Sequence, residues 1–286
     1  MKAHVLTLNW NGAHHLDKLR KGLGNELCAL YMRQGKVMDG WEYPIWHIRD
    51  NGSKDDSLET IEGWKISSCM GPLPTKIYDI GHNRDSFATG MNFLFEQANP
   101  AADDVVFFLN NDISFSEKSS ETLLDMWKLQ QKTKAGVVGA RLLFNDTNKL
   151  QHAGVIFSDR YNRLPYHYRP GEESDAKAEK NRYFQAVTAA CCLVNPASFR
   201  RVGGFDEKFR WAFDDIDLCL QIGQDEKIAY CGTAFAYHVE SASLNKNPVN
   251  KMFIGHNVKY FNEKWAGKYK IDHDRYLNDP NYNEIK

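Results

Sequence analysis

The first half of the chain alternates between short apolar runs and polar, glycine-bearing turns. Between the third and fourth runs, apolar residues recur at helical spacing and predict one helix with a buried face over Ser86–Ala98. This alternation of strands and helices is the βαβ pattern of a mostly parallel sheet. The four apolar runs have strand character: His4–Trp10, Pro44–Arg49, Thr75–Ile80 and Val105–Leu109.

The second half continues the pattern less regularly. An amphipathic helix is predicted over Glu117–Lys132, and strand character resumes in Gly136–Phe144 and in Tyr183–Asn195. The stretch Asp159–Lys180 is polar and irregular, which predicts a surface loop or lid. No internal repeat, low-complexity tract or Pro/Gly/Ser linker marks a domain boundary.

Composition narrows the class of ligand. A chain of 286 residues with 42% hydrophobic residues is long enough for one large α/β domain or two small ones. The net charge of −1 gives no broad basic surface, so we expect a small ligand and no nucleic acid. No stretch approaches the roughly 20 apolar residues of a membrane-spanning helix, and the N-terminus lacks a signal-peptide pattern. These features predict a soluble, cytoplasmic protein.

Cysteine usage adds an expectation about the redox environment. The six cysteines form no C-x-x-C pair, and most of them lie inside apolar runs. We therefore predict free buried thiols and a reducing compartment. The cysteines concerned are Cys28, Cys69, Cys191, Cys192, Cys219 and Cys231.

The second predicted strand ends in a carboxylate followed by a turn. Asp50 precedes Asn51 and Gly52. A carboxylate at the C-terminal edge of a parallel sheet accepts hydrogen bonds from the base or ribose of a nucleotide, and Asn-Gly allows a turn with exposed backbone amides. D-N-G-S also suits an ordinary turn, and both interpretations stay open.

The fourth strand delivers Asn110, Asn111 and Asp112 to the same edge. A carboxylate there suits a divalent cation whose other ligands are diphosphate oxygens, because hard metals prefer oxygen. A strand-terminal Asx turn is an equally good explanation of this motif taken alone.

A cluster of three carboxylates opens a short helix further on. Asp214 is predicted to cap this helix and Asp217 to complete a capping box. Asp215 then has no capping role, and its place near the positive end of the helix dipole keeps it ionised and able to accept a proton. On the next strand, alternation puts His238 on the face of Ala234 and Ala236. His238 is either a structural histidine or a metal ligand.

The order and spacing of these motifs resemble family 2 glycosyltransferases of the GT-A fold, the group that includes rhamnosyltransferase-like enzymes. The resemblance covers most of residues 4–240. It implies a single Rossmann-like, mostly parallel sheet flanked by helices, with a helical C-terminal extension. The matching motifs are Asn9–Gly12, Asp50–Ser53, Asn83–Asn92, Leu109–Asp112, Leu150–Gly154, Gly203–Glu207, Asp214–Cys219 and His238.

The resemblance also implies roles for individual residues. Asp50 would contact the nucleotide base, Asp112 and His238 would bind a metal or the diphosphate, and Asp215 would be the catalytic base. Trp211 and Asp214 would contact the acceptor. The remaining donor contacts would come from Asn9, Asn11, Asn51, Gly52, Asn83, Arg84, Asn92, Asn110 and Asn111.

Two departures from the family pattern bear on these roles. The metal motif is N-N-D where many relatives have two aspartates, which lowers the charge available to a metal. The glycine usual near Asn83 is absent, and the segment carries one extra residue.

The implied reaction is inverting sugar transfer from a nucleoside diphosphate sugar, UDP- or dTDP-linked, to a hydroxyl acceptor, assisted by Mn²⁺ or Mg²⁺. The acceptor would be a saccharide, a lipid-linked molecule or another hydroxyl compound, and a lipid-linked acceptor would place the protein at a membrane periphery. Residues 1–240 would form the catalytic domain, with a nucleotide-binding half (1–112) and an acceptor half (113–240). The extension over 241–286 resembles the helical ending of some family members and would cap the site or form an interface.

Three other classes were weighed. A sugar-phosphate nucleotidyltransferase would carry a glycine-rich loop after its first strand, where this chain has Asn9–Gly12. A dinucleotide oxidoreductase would need G-x-G-x-x-G at a helix start. The remaining alternative is a non-catalytic nucleotide-sugar or carbohydrate-binding relative, because N-N-D supplies a single carboxylate.

Overall fold

The computed structural model describes most of the chain. The described residues are 1–35, 41–63, 67–68, 71–72, 74–79, 85–116, 121–159, 164–210, 212–239 and 248–286. The sequence-based expectations for Asn83, Arg84 and Trp211 lie outside these ranges.

Fourteen strands are present in the described part of the chain. They are β1 (Ala3–Asn9), β2 (Ile45–Asp50), β3 (Ser67–Ser68), β4 (Gly71–Pro72), β5 (Thr75–Asp79), β6 (Val105–Leu109), β7 (Ile113–Ser114), β8 (Val137–Phe144), β9 (Leu150–His152), β10 (Val155–Phe157), β11 (Pro165–His167), β12 (Arg182–Phe184), β13 (Cys191–Val194) and β14 (Ile228–His238).

Eight helices accompany these strands in the same ranges. They are α1 (Ala13–Gly35), α2 (Ser57–Glu62), α3 (Phe87–Ala98), α4 (Thr122–Thr133), α5 (Pro196–Val202), α6 (Asp214–Ile222), α7 (Pro248–Trp265) and α8 (His273–Asn278). None of the described helices is long and apolar enough to cross a bilayer.

One mixed sheet of ten strands organises the molecule. Its order is β12-β14-β8-β13-β6-β1-β2-β5, with β7 paired to β14 and β9 to β8. The pairs β6–β1, β1–β2 and β2–β5 are parallel, whereas β13 runs antiparallel to both β6 and β8. Because β1, β2 and β6 are parallel neighbours, their polar C-terminal ends meet at one edge, as the sequence predicted.

The core lies on both faces of this sheet. Along β1, Val5 packs into one apolar cluster and Leu6 into the other, as the two-residue period of a strand requires. β6 repeats this division with Phe107 and Phe108. The strands are buried on both sides, which explains why their sequences read as continuous apolar runs.

Helix α1 was not predicted from the spacing of apolar residues in the sequence. Its buried face follows a clear three- and four-residue spacing, through Leu16, Leu19, Leu23, Leu27 and Leu30. The helix buries Glu26 as well, whose Oε2 accepts a hydrogen bond of 3.0 Å from the amide of Leu123 at the start of α4. Burial raises the pKa of Glu26 to about 8.

Two predictions for the second half were wrong in part. The run Tyr183–Asn195 is not one strand, because β12 and β13 pair with different neighbours in the sheet. The polar stretch after Asp159 is not only a loop, since β11 pairs with β10 and Tyr168 beyond it is buried. These elements were not predicted because their local sequence is polar, and they are buried by residues from distant parts of the chain.

The prediction of free thiols holds for the four cysteines of the second half. Cys191, Cys192, Cys219 and Cys231 are free and buried. The prediction was wrong for Cys28, which is disulfide-bonded, and Cys69 lies outside the described residues. The reducing compartment therefore does not follow from cysteine usage, because one cysteine on α1 is oxidised.

Candidate active site

Asn9 joins the two motifs at the polar edge of the sheet. It lies opposite Asp50 in the β1–β2 register, and its Nδ2 donates to Asp50 Oδ2 at 2.9 Å. Its Oδ1 accepts from Asn111 Nδ2 at 2.8 Å. Asn9 is fully buried, so the end of β1 fixes the ends of β2 and β6 relative to each other.

Asp50 is saturated with hydrogen bonds inside its own turn. Oδ1 accepts from the amides of Gly52 and Ser53, at 3.1 and 2.8 Å. Oδ2 accepts from Asn9 and from the Ser53 hydroxyl, the latter at 2.7 Å. Only 2% of Asp50 is exposed. Gly52 has a φ of 76°, a left-handed conformation that costs glycine little. Asp50 therefore defines the shape of the turn.

The start of α1 packs closely against this edge. The amide of Asn11 donates to Ser53 Oγ at 2.8 Å, and Asn11 Oδ1 accepts from the amide of Lys54 at 2.7 Å. A Cβ atom on Gly12 would lie 2.2 Å from Asn111 Nδ2, so only glycine fits there. This close approach places the first turn of α1 beside the Asn110–Asp112 motif.

The side chains of Asn51 and Asn92 each hydrogen-bond to the backbone of a distant segment. Asn51 exchanges two hydrogen bonds with the backbone of Asp85, at 2.9 and 3.1 Å. Asn92 exchanges two with the backbone of Phe205, both at 2.9 Å, and also donates to Glu207. Both amides are thus committed to shaping the loops near the site.

Asp112 and His238 meet at the junction of β7 and β14. His238 lies opposite Ile113 in this antiparallel pair, so Asp112, one residue earlier, falls beside the imidazole. Asp112 Oδ1 is 3.1 Å from His238 Nε2. That oxygen is buried and has no well-oriented hydrogen-bond donor. Asn110 Nδ2 also approaches Nε2, at 3.3 Å.

Gln151 fixes the orientation of the His238 ring. Its Oε1 lies 2.7 Å from Nδ1 of His238, and its Nε2 donates to the His238 carbonyl at 3.4 Å. The two contacts assign the amide, so Nδ1 carries the proton and Nε2 presents its lone pair toward Asp112. Gln151 belongs to the Leu150–Gly154 motif, to which the sequence analysis gave no role.

A second histidine near this corner was not predicted from the sequence. His15, in the first turn of α1, has its pKa lowered by burial and by the adjacent His14, while Asp112 acts in the opposite direction. The electrostatic effect of Asp112 and the packing of Gly12 against Asn111 both place the start of α1 close to Asp112.

The three carboxylates of α6 have three different environments. Asp215 is half-buried and accepts from the amides of Ile216 and Ala189, at 2.8 and 3.2 Å. Asp214 is buried, and its pKa is raised to about 8 by burial and by the charge of Asp215. Asp217 is fully buried. Burial and the neighbouring charge of Asp215 thus favour the protonated form of Asp214.

The predicted capping roles of Asp214 and Asp217 were wrong. The N-cap residue of α6 is Phe213, whose side chain makes no capping hydrogen bond, and the first-turn amide of Ile216 donates to Asp215. Asp217 instead accepts from Trp265 Nε1 at 2.6 Å and pairs with Lys264 Nζ at 2.8 Å, both on α7. The carboxylate ties α6 to α7 because these donors satisfy a charge that burial would otherwise disfavour.

The backbone just before α6 is left-handed at two successive residues that are not glycine. Ala212 and Phe213 have φ values of 62° and 70°. The buried Asn257 of α7 donates to the carbonyl of Ala212 at 3.1 Å. Such backbone costs on the order of 1 kcal/mol or more per residue and clusters at functional sites.

The residues at the Asp112–His238 corner fit a divalent cation. Asp112 Oδ1 and His238 Nε2 lie 3.1 Å apart, so the two atoms form an ion pair when the imidazole is protonated and can both act as ligands of a cation when it is neutral. Two protein ligands leave most coordination positions for phosphate oxygens and water. Among the described residues, no group of three or more His, Cys, Asp or Glu side chains is arranged for a metal.

Comparison with proteins of known sequence gives partial matches. No protein-family model matches the chain. An uncharacterised protein of Sinorhizobium fredii is 31% identical over 190 residues, which are 63% of this chain and 20% of that protein. An O-antigen biosynthesis protein of Myxococcus xanthus is 31% identical over 159 residues, 53% of this chain and 12% of that protein. The chain thus spans a fifth or less of these two relatives.

A third relative is matched over most of its length. The N-acetylglucosaminyl-diphospho-decaprenol L-rhamnosyltransferase of Mycobacterium tuberculosis is 24% identical over 226 residues. The match covers 74% of this chain and 72% of that enzyme.

Solved structures share the architecture at low sequence identity. The mannosyltransferase PcManGT of Pyrobaculum calidifontis, in complex with GDP-Man and Mn²⁺, has a TM-score of 0.60 at 13% identity, covering 94% of this chain and 65% of that one. GalNAc-T7 with UDP, GalNAc and Mn²⁺ also has a TM-score of 0.60, at 10% identity, covering 99% and 55%.

These matches define the class by its fold: the chain has the GT-A architecture of glycosyltransferases, as predicted. Within that class, the predicted resemblance to family 2 enzymes of the rhamnosyltransferase type is confirmed by the relatives.

Proposed function

We propose that this protein is an inverting glycosyltransferase that moves a sugar from a nucleoside diphosphate sugar, UDP- or dTDP-linked, to a hydroxyl acceptor. The observation that carries the proposal is the Asp112–His238 corner, where a donor-free carboxylate oxygen lies 3.1 Å from an imidazole nitrogen. This corner suits a cation bound to the diphosphate of a donor, as Mn²⁺ accompanies GDP-Man in the mannosyltransferase of the same fold.

Asp112 and His238 would hold the cation, either Mn²⁺ or Mg²⁺. When bound, the cation would offset the negative charge that builds on the departing diphosphate. Gln151 would keep His238 in the tautomer that binds metal, because its Oε1 accepts the Nδ1 proton. His15 would add a polar group beside the same phosphates.

The nucleotide would lie along the C-terminal ends of β1, β2 and β6. Asp50, Asn51 and Gly52 would form the turn that faces the base, with Asp50 acting through the shape of that turn as well as through direct contact. The other donor-binding residues remain those proposed from the resemblance: Asn9, Asn11, Asn83, Arg84, Asn92, Asn110 and Asn111.

Asp215 would act as the catalytic base. It would take the proton of the acceptor hydroxyl while that oxygen bonds to the anomeric carbon and the diphosphate leaves from the opposite face. Asp215 suits this role because its carboxylate is partly exposed, whereas Asp214 is buried and its pKa is raised by burial and by the charge of Asp215. Asp214 and Trp211 would line the acceptor side.

The name of one relative supports the choice of acceptor. The mycobacterial relative is named for an acceptor linked to decaprenol through a diphosphate, which supports a lipid-linked or saccharide acceptor here. We place the protein in the cytoplasm, at the membrane periphery for a lipid-linked acceptor. Residues 1–240 would form the catalytic domain, and residues 241–286 the extension tied to it through Asp217.

Substitution of the two adjacent aspartates tests the assignment of the base. A panel of UDP-, dTDP- and GDP-sugars identifies the donor that turns over. With that donor, Asp215→Asn should fold and bind normally but lose transfer by roughly two or more orders of magnitude, the scale of a lost general base. Asp214→Asn should keep most of its activity, because asparagine resembles the protonated carboxyl already favoured there.

Two results would contradict this proposal. Near-normal turnover by Asp215→Asn would remove its catalytic role, and collapse in Asp214→Asn alone would move the base one residue back. Absence of turnover with every donor, together with intact donor binding, would favour the non-catalytic nucleotide-sugar-binding relative.

A further inference from the structure

A large groove lies at the opposite end of α6 from Asp215. Its volume is about 1220 Å³. Its walls come from the end of α6, from β12 and from the segment between α7 and α8. None of the residues assigned above to the donor, the metal or the base lines it. The groove therefore requires an explanation of its own.

The three acidic side chains of the groove are held by partners within the protein. Asp225 and Glu226 share Arg201, each at 2.6 Å. Asp272 accepts from the amide of Phe157 at 2.8 Å and from Gln185 Nε2 at 2.7 Å. Five basic side chains line the groove against these three carboxylates, so the lining carries a net positive charge.

Among the described residues, four of the five basic side chains of the groove have no carboxylate partner, and one of these four, Arg275, donates to the Tyr282 hydroxyl at 3.5 Å. Lys227, Lys268, Lys270 and Arg275 line the groove and are exposed. No ion pair to a carboxylate within 4.0 Å involves any of them in the described part of the chain. The fifth cation, Lys264, is already paired with Asp206 and Asp217. Four cations without a carboxylate partner make the groove attractive to an anion.

Three of these four cations lie over aromatic rings. Lys227 is 5.9 Å from the ring centre of Tyr183, Lys268 is 6.0 Å from that of Trp265, and the Arg275 guanidinium is 5.8 Å from that of Tyr282. The groove thus combines apolar ring faces with positive charge along a concave wall. Aromatic faces pack against the apolar faces of sugar rings. A concave wall fits a chain molecule better than it fits a flat bilayer surface.

The groove and the proposed base share one helix. Asp215 and Gly223, at the groove, are eight residues apart, which corresponds to about 12 Å along a helix. Asp217 connects α6 to Trp265, whose ring forms part of the groove wall. An extended molecule that reaches the base at one end is long enough to occupy the groove at the other.

We propose that this groove binds an anionic saccharide segment, one carrying carboxylate, sulfate or phosphate groups, that belongs to the acceptor chain. The link to the acceptor rests on the function proposed above. The binding itself does not, because it depends only on the charges and rings of the groove.

Calorimetry with defined probes tests the proposal on the full chain. The probes are sulfated maltohexaose, neutral maltohexaose, hexagalacturonate, inorganic triphosphate and phosphatidylglycerol vesicles. We expect the two anionic oligosaccharides to bind at least tenfold more tightly than neutral maltohexaose or triphosphate. The double variant Lys268→Ala/Lys270→Ala should lose at least tenfold of this affinity. The matched control Lys132→Ala/Lys259→Ala removes two exposed lysines outside the groove and should bind like the parent protein.

Each contrary outcome identifies what is wrong. Unchanged affinity in the groove variant, or equal losses in both variants, would overturn the groove as the site. Triphosphate binding as tight as the oligosaccharides would overturn the saccharide, and binding to vesicles alone would indicate a membrane contact instead. Mn²⁺-dependent binding of UDP or dTDP, measured in parallel, should be equal in all three proteins. Absence of binding of both nucleotides in all three would reject the proposed function and leave the saccharide result standing.

Discussion

Two carboxylates at the same edge of the sheet have opposite hydrogen-bonding states. Asp50 accepts four hydrogen bonds from its own turn and from Asn9. Asp112, at the end of the neighbouring motif, has a buried oxygen with no well-oriented donor. The first side chain is satisfied by hydrogen bonds, whereas the buried oxygen of the second faces only the imidazole Nε2 of His238, at 3.1 Å, among the contacts given above.

This difference distinguishes a carboxylate that shapes a turn, Asp50, from one that is able to bind a ligand, Asp112. A buried carboxylate oxygen without a well-oriented donor is costly, and such an oxygen is a good position for a ligand to bind. A saturated carboxylate gives stability and geometry but has little capacity left for a ligand. On the function proposed above, Asp50 would therefore contribute mainly the form of the nucleotide turn, and the Asp112–His238 corner would bind the cation.

The largest effect is expected from Asp112→Asn. This change keeps the shape of the side chain but removes the charge that would attract a cation. The increase in UDP affinity caused by Mn²⁺ should disappear, and the free energy of unfolding should stay the same or rise. Calorimetry with and without Mn²⁺ and urea denaturation measure the two quantities. Metal dependence as strong as in the parent protein would exclude Asp112 from the site.

Asp50→Asn should show the reverse behaviour. In asparagine, an amide NH2 group replaces one carboxylate oxygen. This NH2 group cannot accept the hydrogen bonds that the oxygen now accepts, so the buried donors around it would lose their acceptor. We expect a loss of about 2–4 kcal/mol in the free energy of unfolding, with Mn²⁺ dependence retained in the folded protein. Asp56→Asn, an exposed change in the same segment, is the control for urea denaturation. A stability change no larger than that of the control would end the distinction between the two carboxylates.

A smaller effect is expected from Gln151, which touches His238 and not the cation. Gln151→Ala removes the acceptor of the Nδ1 proton, and loss of such an outer partner lowers metal affinity by roughly 10–100-fold. Gln151→Glu keeps an oxygen at that position and should lose less. Titration of free Mn²⁺ by electron paramagnetic resonance compares the two. Equal affinity in both variants and the parent would mean that Gln151 does not orient the ring.

The strands and α3 were predictable because their signals are local. β6 was predicted residue for residue as Val105–Leu109, and the helix over Ser86–Ala98 was confirmed with Ser86 as its cap. The first long helix carried an equally local signal, the leucine spacing from Leu16 to Leu30, and was overlooked. Its polar face and its fully buried Glu26 obscured that spacing.

The details of the site depend on contacts that no local pattern contains. The approach of Asp112 to His238 requires the pairing of β7 with β14, whose residues are more than 120 positions apart. The predicted capping box at Asp217 failed for the same reason, since its true partner is Trp265. The resemblance to family 2 enzymes predicted both Asp112 and His238 as candidate ligands. Which of their atoms have hydrogen-bond partners is visible only in the three-dimensional structure.

The contact between Asp217 and Trp265 has a consequence for the order in which the protein is made. The two residues are 48 positions apart, and a ribosome adding about 5–20 residues per second needs roughly 2–10 s to synthesise that interval. During this time α6 has been synthesised, but Asp217 lacks its partners on α7, Lys264 and Trp265. A nascent chain therefore fixes the helix that carries Asp215 only after α7 has emerged.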